Sequence, residues 1–202
     1  MSRRARIWLP AGVGALAAAV VVVVAIARLG AAPLLVNRAG MSQLVLARDG
    51  SLVRLGLSSD EHYRLWAPLD EIPAAMIEAT LLQEDRFFFR HPGVNPAALL
   101  RAIDRTYVRG DRRVGASTIT MQLARLRFDL DTRTWHGKLA QIVRAFWLEL
   151  AFPKAALLEA YLNLAPYGAN VEGVGAASWV WYGKPLRDLT PAEALSLAEN
   201  AA

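Results

Sequence analysis

The chain has 202 residues, room for one domain of ordinary size and an anchor, with no cysteine and a formal net charge of +5. Without cysteine it can form neither disulfides nor metal–thiolate sites, so packing alone must hold its core. All but Lys138, Lys154 and Lys184 of its 23 basic residues are Arg, a balance suited to anionic partners: nucleic acid, phospholipid headgroups or a pyrophosphate.

Residues 7–27 carry no charge over 21 positions, and at about 1.5 Å per residue such a helix reaches across a bilayer core of about 30 Å. Arg3, Arg4 and Arg6 precede it and only Arg28 follows closely, so the positive-inside rule keeps the N-terminus cytoplasmic and exports the rest. Ala25-Ile26-Ala27 resembles a signal-peptidase site. The apolar run is nevertheless longer than the usual ~7–15 residue core of a signal peptide, which favours an anchor that is kept. A buried core helix is disfavoured because the segment has no polar face. Export removes nucleic acid from the partners. The layout expected is a cytoplasmic tail at 1–6, a transmembrane signal-anchor at 7–28, a linker at 29–69 and a helical domain at 70–202.

Residues 43–47 and 52–57 alternate apolar and polar side chains around Asp49-Gly50, the pattern of a β-hairpin. Residues 58–69 read as irregular. Pro73 then suits the first turn of a helix with Ile72, Met76, Ile77 and Leu81 on its apolar side, ending near Glu84. A second helix is expected over 96–108, with Arg101, Arg105 and Arg109 on one face, either toward a membrane or simply solvated. A charged, glycine-bounded loop fills 110–115. Helices follow over 117–128, 138–151 and 154–164. Gly173, Gly175, Ala176, Ala177 and Ser178 offer a small-residue helix surface, and Thr190-Pro191-Ala192-Glu193 is a capping box. Apart from the hairpin, the exported part reads as all helix.

Glu84-Asp85-Arg86-Phe87-Phe88-Phe89-Arg90-His91-Pro92-Gly93 matches the pattern E-D-x-x-F-x-x-H-x-G. Gly115-Ala116-Ser117-Thr118-Ile119-Thr120-Met121-Gln122 is similar to G-G-S-T-[IL]-T-x-Q. A weaker block spans 138–149. A long one holds Lys154, Leu158-Glu159, Tyr161-Leu162-Asn163, Gly168, Gly173, Ala176-Ala177 and Tyr182-Gly183-Lys184. In this order and spacing, over residues 44–198, the chain resembles glycosyltransferase family 51, the glycan polymerases of class A penicillin-binding proteins and their monofunctional relatives.

The resemblance implies a mainly α, lysozyme-like domain preceded by one transmembrane helix and a short β-hairpin. It also implies a peptidoglycan glycosyltransferase: the 4-hydroxyl of one sugar attacks a sugar linked to a lipid pyrophosphate, with inversion. Lipid II would be polymerised into β-1,4 strands and undecaprenyl pyrophosphate released. The partners implied are lipid II, the growing lipid-linked chain, membrane lipids and cell-wall synthesis proteins, with no nucleic acid. The place implied is the outer side of the cytoplasmic membrane. A divalent cation, Mg2+ or Mn2+, is left open as a cofactor, without assigned ligands.

Glu84 takes the place of the family's base, near a helix C-terminus beside Phe87 to Phe89. The family's substrate-binding positions fall on Ser117, Thr118, Gln122, Arg125, Arg133, Lys138 and Asn163. Arg125 stands where Lys is usual. Ser117 and Thr118 lead into a helix N-terminus whose free N–H groups suit a phosphate or sugar oxygen, although plain N-capping by Ser117 is compatible with that. Any one of these cations alone is more often a solvated charge; as a set they suit phosphate binding through charge-assisted hydrogen bonds. Supporting roles are expected for Asp85, by hydrogen bonding in its loop, and for His91, which has no metal-ligand spacing around it.

Three departures narrow the expectation. Gln141 stands where the family carries a second Glu, so that carboxylate is missing, and Glu149 and Glu172 are the candidates to replace it. Ala116 replaces a Gly that can take a positive φ. The chain ends at Ala202 inside the fifth block and contains no Ser-x-x-Lys, so it is expected to be the front of a bifunctional enzyme, truncated at its C-terminus. Two other functions fit parts of the pattern. A lysozyme-like glycan hydrolase would need two flanking carboxylates. An inactive truncated membrane scaffold of a cell-wall complex would need none.

Overall fold

The computed structural model describes residues 40–98 and 117–200. The expected anchor, the Arg101, Arg105 and Arg109 face, the 110–115 loop and Ala116 lie outside the described residues. Among the described residues no helix is long and apolar enough to cross a membrane.

The hairpin is present: β1 (Leu44–Leu46) pairs antiparallel with β2 (Leu52–Leu55), with a register irregularity at Val45/Leu46. Ser51 N–H and hydroxyl both donate to Asp49 Oδ1, which closes the turn. The stretch 58–69 is more ordered than its sequence suggests. It carries β3 (Tyr63–Arg64), which pairs parallel with β4 (Val171–Glu172). The described part is therefore mainly helical but not all helix outside the hairpin. Buried Arg64 holds this second sheet: it donates two parallel bonds to Asp60, at 2.7 and 2.8 Å, and one of 2.6 Å to Glu172. Such a fork is the geometry that suits Arg rather than Lys. No periodic pattern announces a two-residue strand whose partner lies about a hundred residues away.

Among the described residues the body is formed by α1 (Ala74–Glu84), α2 (Ile119–Phe128), α3 (Trp135–Ala151), α4 (Lys154–Leu164), α5 (Val174–Tyr182) and α6 (Pro191–Glu199). Thr134 caps α3 by accepting from Gly137 N–H. A Cβ at Gly137 would lie 1.8 Å from Asp131 O, so only glycine lets the preceding turn fold onto that first helical turn. The capping box of α6 is complete, Thr190 and Glu193 each accepting from the other's N–H.

Helix α4 is the centre. Leu157, Leu158, Ala160, Tyr161, Leu162 and Asn163 are all buried, so it is covered on every side, which its near-continuous apolar sequence allows. Helix α2 packs between α3 and α4, and α1 packs on α6. Asn163, a buried amide in α4, accepts from Ala67 N–H and donates to Ala67 O, both at 2.8 Å, and also donates to Glu159 O. Glu159 accepts from Trp66 Nε1 and Leu69 N–H. Together they fasten the segment after β3 to the central helix. Gly173, at φ +81°, passes so close to Asn163 that a Cβ would lie 2.6 Å from its carbonyl oxygen.

Asn163→Ala leaves the buried N–H and C=O of Ala67 without partners, and unfolding free energy should fall by about 2–4 kcal/mol. Equilibrium urea unfolding followed by tryptophan fluorescence measures it. A loss below about 0.5 kcal/mol would mean that water or a rearranged backbone replaces the clamp.

Candidate active site

Glu84 is the last residue of α1, half-buried, and its Oε2 accepts a 2.6 Å hydrogen bond from Gln122 Nε2. Gln122 lies on α2, and its Oε1 accepts in turn from the Tyr161 hydroxyl of α4 at 3.4 Å. Burial first, and the Glu84 charge second, push the Tyr161 phenol well above the usual tyrosine range, against an opposing Arg125. Arg125 is exposed three residues after Gln122 on α2, so the two share a face.

Lys138, in the first turn of α3, donates to Ser117 Oγ at 2.7 Å. Burial, and after it the Arg125 guanidinium, hold the Lys138 ammonium below the usual lysine range. No ion pair joins Arg125 or Lys138 to a carboxylate among the described residues. The structure thus ties Glu84 to Gln122 and Lys138 to Ser117, with the Arg125 charge felt by both Lys138 and Tyr161, and among the described residues neither cation is paired with a carboxylate.

What places Glu84 against Gln122 is Asp85. Its carboxylate accepts from His91 Nε2, 2.9 Å from both oxygens, and from Ile119 N–H at 3.2 Å, and all three residues are buried. Thr118 adds a second tie by donating to Gly93 O. The end of α1 is thereby fixed to the start of α2, and Glu84 is fixed opposite Gln122. Asp85 and His91, expected in supporting roles, are hydrogen-bonded to each other here.

Other expected residues are placed differently. The N-cap of α2 is Thr118, which accepts from Met121 N–H, and not Ser117. With Ile119 N–H taken by Asp85, two of the N–H groups expected to meet a phosphate already have acceptors within the protein. Arg133 is exposed in the turn before α3, where its N–H donates to Asp131. Asn163 is turned away: two positions along a helix is about 200° of rotation from Tyr161, and its amide is committed to backbone.

The candidate second carboxylates do not join Glu84. Glu149 accepts from Thr120 at 2.6 Å and from Lys154 at 2.8 Å. Glu172 pairs with Arg64. Gln141 is buried, donates to Met121 O at 2.7 Å, and leaves its Oε1 unpartnered. An ionised Glu could not donate that bond, so the amide suits its surroundings in α3 better than the usual carboxylate would. Among the described residues no group of three or more His, Asp or Glu could hold a metal ion. Tyr161 is the site residue that sequence reasoning missed. Its motif was visible, but on a helix buried all round no polar face tells which residue looks toward the site.

A cavity of about 500 Å3 lies elsewhere, lined by Trp66, Asp70, Glu71, Trp179 and Arg187 among others, and shares no residue with the Glu84 group.

Residues 50–201 match the family model described as Transglycosylase. The chain is 37% identical to penicillin-binding protein 1C of Escherichia coli (strain K12) over 166 residues, 82% of this chain and 21% of that protein. It is 37% identical to a biosynthetic peptidoglycan transglycosylase of Rhodospirillum centenum over 72% of this chain and 63% of that protein. It is 35% identical to penicillin-binding protein 2D of Bacillus subtilis over 96% of this chain and 28% of that protein. In each case the chain spans less than two thirds of the relative's length.

Asp85→Ala removes the acceptor shared by two buried donors, so stability should drop by about 2–4 kcal/mol, with Asp85→Asn losing less because one acceptor oxygen remains. Differential scanning calorimetry of the two variants checks the order; equal melting temperatures for wild type and Asp85→Ala would contradict the tie.

Proposed function

This chain belongs to the transglycosylase family, and from that premise we propose that it is a peptidoglycan glycosyltransferase that polymerises lipid II into β-1,4-linked glycan and releases undecaprenyl pyrophosphate. The observation that carries the proposal is the arrangement on α1, α2 and α3: the Glu84 carboxylate held by a neutral amide, with Arg125 and Lys138 nearby and, among the described residues, without a counter-ion.

Each part has a task in the transfer. Glu84 takes the proton of the attacking 4-hydroxyl, so the oxygen can bond to the anomeric carbon as the bond to pyrophosphate breaks. Arg125 and Lys138 receive the charge that develops on the leaving pyrophosphate. The two cations repel each other when the site is empty, and an anion between them relieves that repulsion, which favours phosphate over a neutral ligand. Ser117 orients Lys138. Arg133 reaches the same anion only if its exposed turn lies over the site when substrate is bound. Gln122 serves the base rather than the substrate, and Asn163 serves the fold. A glycan hydrolase is less well supported, since the other carboxylates near α2 and β4 are already tied to Lys154 and Arg64. The described residues offer a divalent cation no three-ligand set, so no step is routed through Mg2+ or Mn2+.

The proposal includes the lysozyme-like class of helical domain, an anchor at 7–28 with a short tail inside, and a catalytic part at the outer face of the cytoplasmic membrane. Helix α3 supports the membrane setting. Trp135, Leu139, Val143, Phe146 and Leu150 recur at helical spacing on its outer side and are 42–77% exposed. Five large apolar side chains on one open face call for an apolar partner, and a lipid substrate supplies one.

Glu84→Gln should abolish polymerisation of purified lipid II by the full chain while leaving its melting temperature within a few degrees. Undiminished glycan synthesis would end the proposal, and an inert wild-type chain would favour the scaffold alternative. For the membrane face, the chain's lack of cysteine allows Val143→Cys to be labelled alone with an environment-sensitive dye. Its emission should move to the blue in proteoliposomes relative to detergent-free buffer with 8 M urea, and bromolipid should quench it, whereas a dye at Arg187→Cys should be quenched far less.

A further inference from the structure

Gln122 meets Glu84 through an amide that has two unlike ends. Its NH2 end donates to the carboxylate; its oxygen end, turned the same way, would repel it. A glutamine side chain on a helix has no preference of its own between these orientations; the ionised carboxylate selects the NH2 end, and a donor at the other end of the amide strengthens that choice. The group at the other end is the Tyr161 hydroxyl, 3.4 Å from Gln122 Oε1. Tyr161 comes from α4, is buried almost completely, and is held by packing on all sides of that helix.

We propose that Tyr161 is a positioning residue for the base: its hydroxyl donates to Gln122 Oε1, locks the amide with NH2 toward Glu84, and so fixes which carboxylate oxygen is free to react. The inference rests on reading Glu84 as the base. Three features agree with it. Glu84 Oε2 is taken by Gln122, while nothing among the described residues bonds Oε1, so one oxygen is anchored and the other open. The phenol stays protonated at any working pH, because burial and the nearby Glu84 charge both oppose its ionisation, which keeps it a donor. The lock is also uncharged. A neutral amide restrains a carboxylate with less loss of basicity than a cation in the same place would cause, and a base has to keep its affinity for a proton. The nearby cations are instead left for the anion.

Tyr161→Phe removes the hydroxyl and keeps the ring. With the full chain in lipid or detergent, kcat for lipid II should fall about tenfold and KM should stay within twofold. The acid limb of the pH–kcat profile should move to higher pH, because a freed amide spends part of its time with its oxygen facing Glu84. The same shift should appear in the Glu84 carboxyl titration, followed by 13C NMR of Glu-labelled protein and assigned by its absence in Glu84→Gln. In a Gln122→Leu background, which has no amide to lock, Tyr161→Phe should have no further effect on either readout. A merely structural role for the hydroxyl would lower the melting temperature and leave the titration where it is. An unmoved titration, or equal effects of Tyr161→Phe with and without Gln122, overturns the proposal. Should the wild-type chain fail to polymerise lipid II, the assigned reaction falls, yet a Glu84 titration that moves in Tyr161→Phe and stays put in the Gln122→Leu background still supports the lock.

Discussion

The carboxylate of Asp85 is the contact on which the site depends. It sits where α1 has ended and α2 begins, and it satisfies two buried donors from different parts of the chain, His91 Nε2 and Ile119 N–H. A helix N-terminus in a protein interior must find acceptors for its first N–H groups, and here an internal carboxylate provides one. Because Glu84 is the neighbour of Asp85, this requirement of the backbone also settles where the Glu84 carboxylate points. Gln122, one turn into α2, then stands opposite Glu84 without any further device. The same carboxylate leaves less of the α2 N-terminus available to a ligand, so under the proposed function recognition of an anion falls to side chains, Arg125 and Lys138, rather than to backbone.

The balance of charge around α2 and α3 is partitioned in the same way. Three other carboxylates are closed off by their own partners: Glu149 by Thr120 and Lys154, Glu172 by Arg64, and Asp85, next to Glu84, by His91. Arg125 and Lys138 have no carboxylate partner among the described residues. Gln141 belongs to this arrangement. Its side chain lies against Met121 O in the seam between α2 and α3, where an ionised carboxylate would face a carbonyl oxygen at close range. A second acid at that position would need a different local partner, and the neighbouring backbone does not offer one.

Local pattern made much of this legible. The hairpin, the limits of α4, the capping box of α6 and the placement of Glu84 at a helix end follow from alternation, proline, glycine and capping residues, all of which act within a few positions. What local pattern does not encode is the direction of a polar side chain on a buried helix. Asn163 and Tyr161 lie two residues apart in one motif, and only packing decides that the first clasps Ala67 while the second faces Gln122. The same holds for Ser117 and Thr118: either can cap a helix, and the choice follows from Gly93 O lying within reach of Thr118 and Lys138 within reach of Ser117. The β3–β4 pair was hidden for a related reason, since its stability comes from Arg64 and its two acid partners rather than from a run of strand-forming residues.

Helix α3 joins these levels. One side of it packs Ala145 and Leu148 into the core, its first turn sends Lys138 toward Ser117, and its outer side carries Trp135, Leu139, Val143, Phe146 and Leu150 into the open. A helix is stiff over this length, so those three faces keep a fixed relation to one another. If the outer face rests against lipid, the depth of Lys138 and its neighbours relative to the bilayer surface is fixed too, within a few ångströms. A pyrophosphate headgroup is confined to that same surface by its own lipid chain. Under the proposed function the protein would not need to lift its substrate out of the membrane; it would hold α3 at the correct level, where Arg125 and Lys138 meet the headgroup.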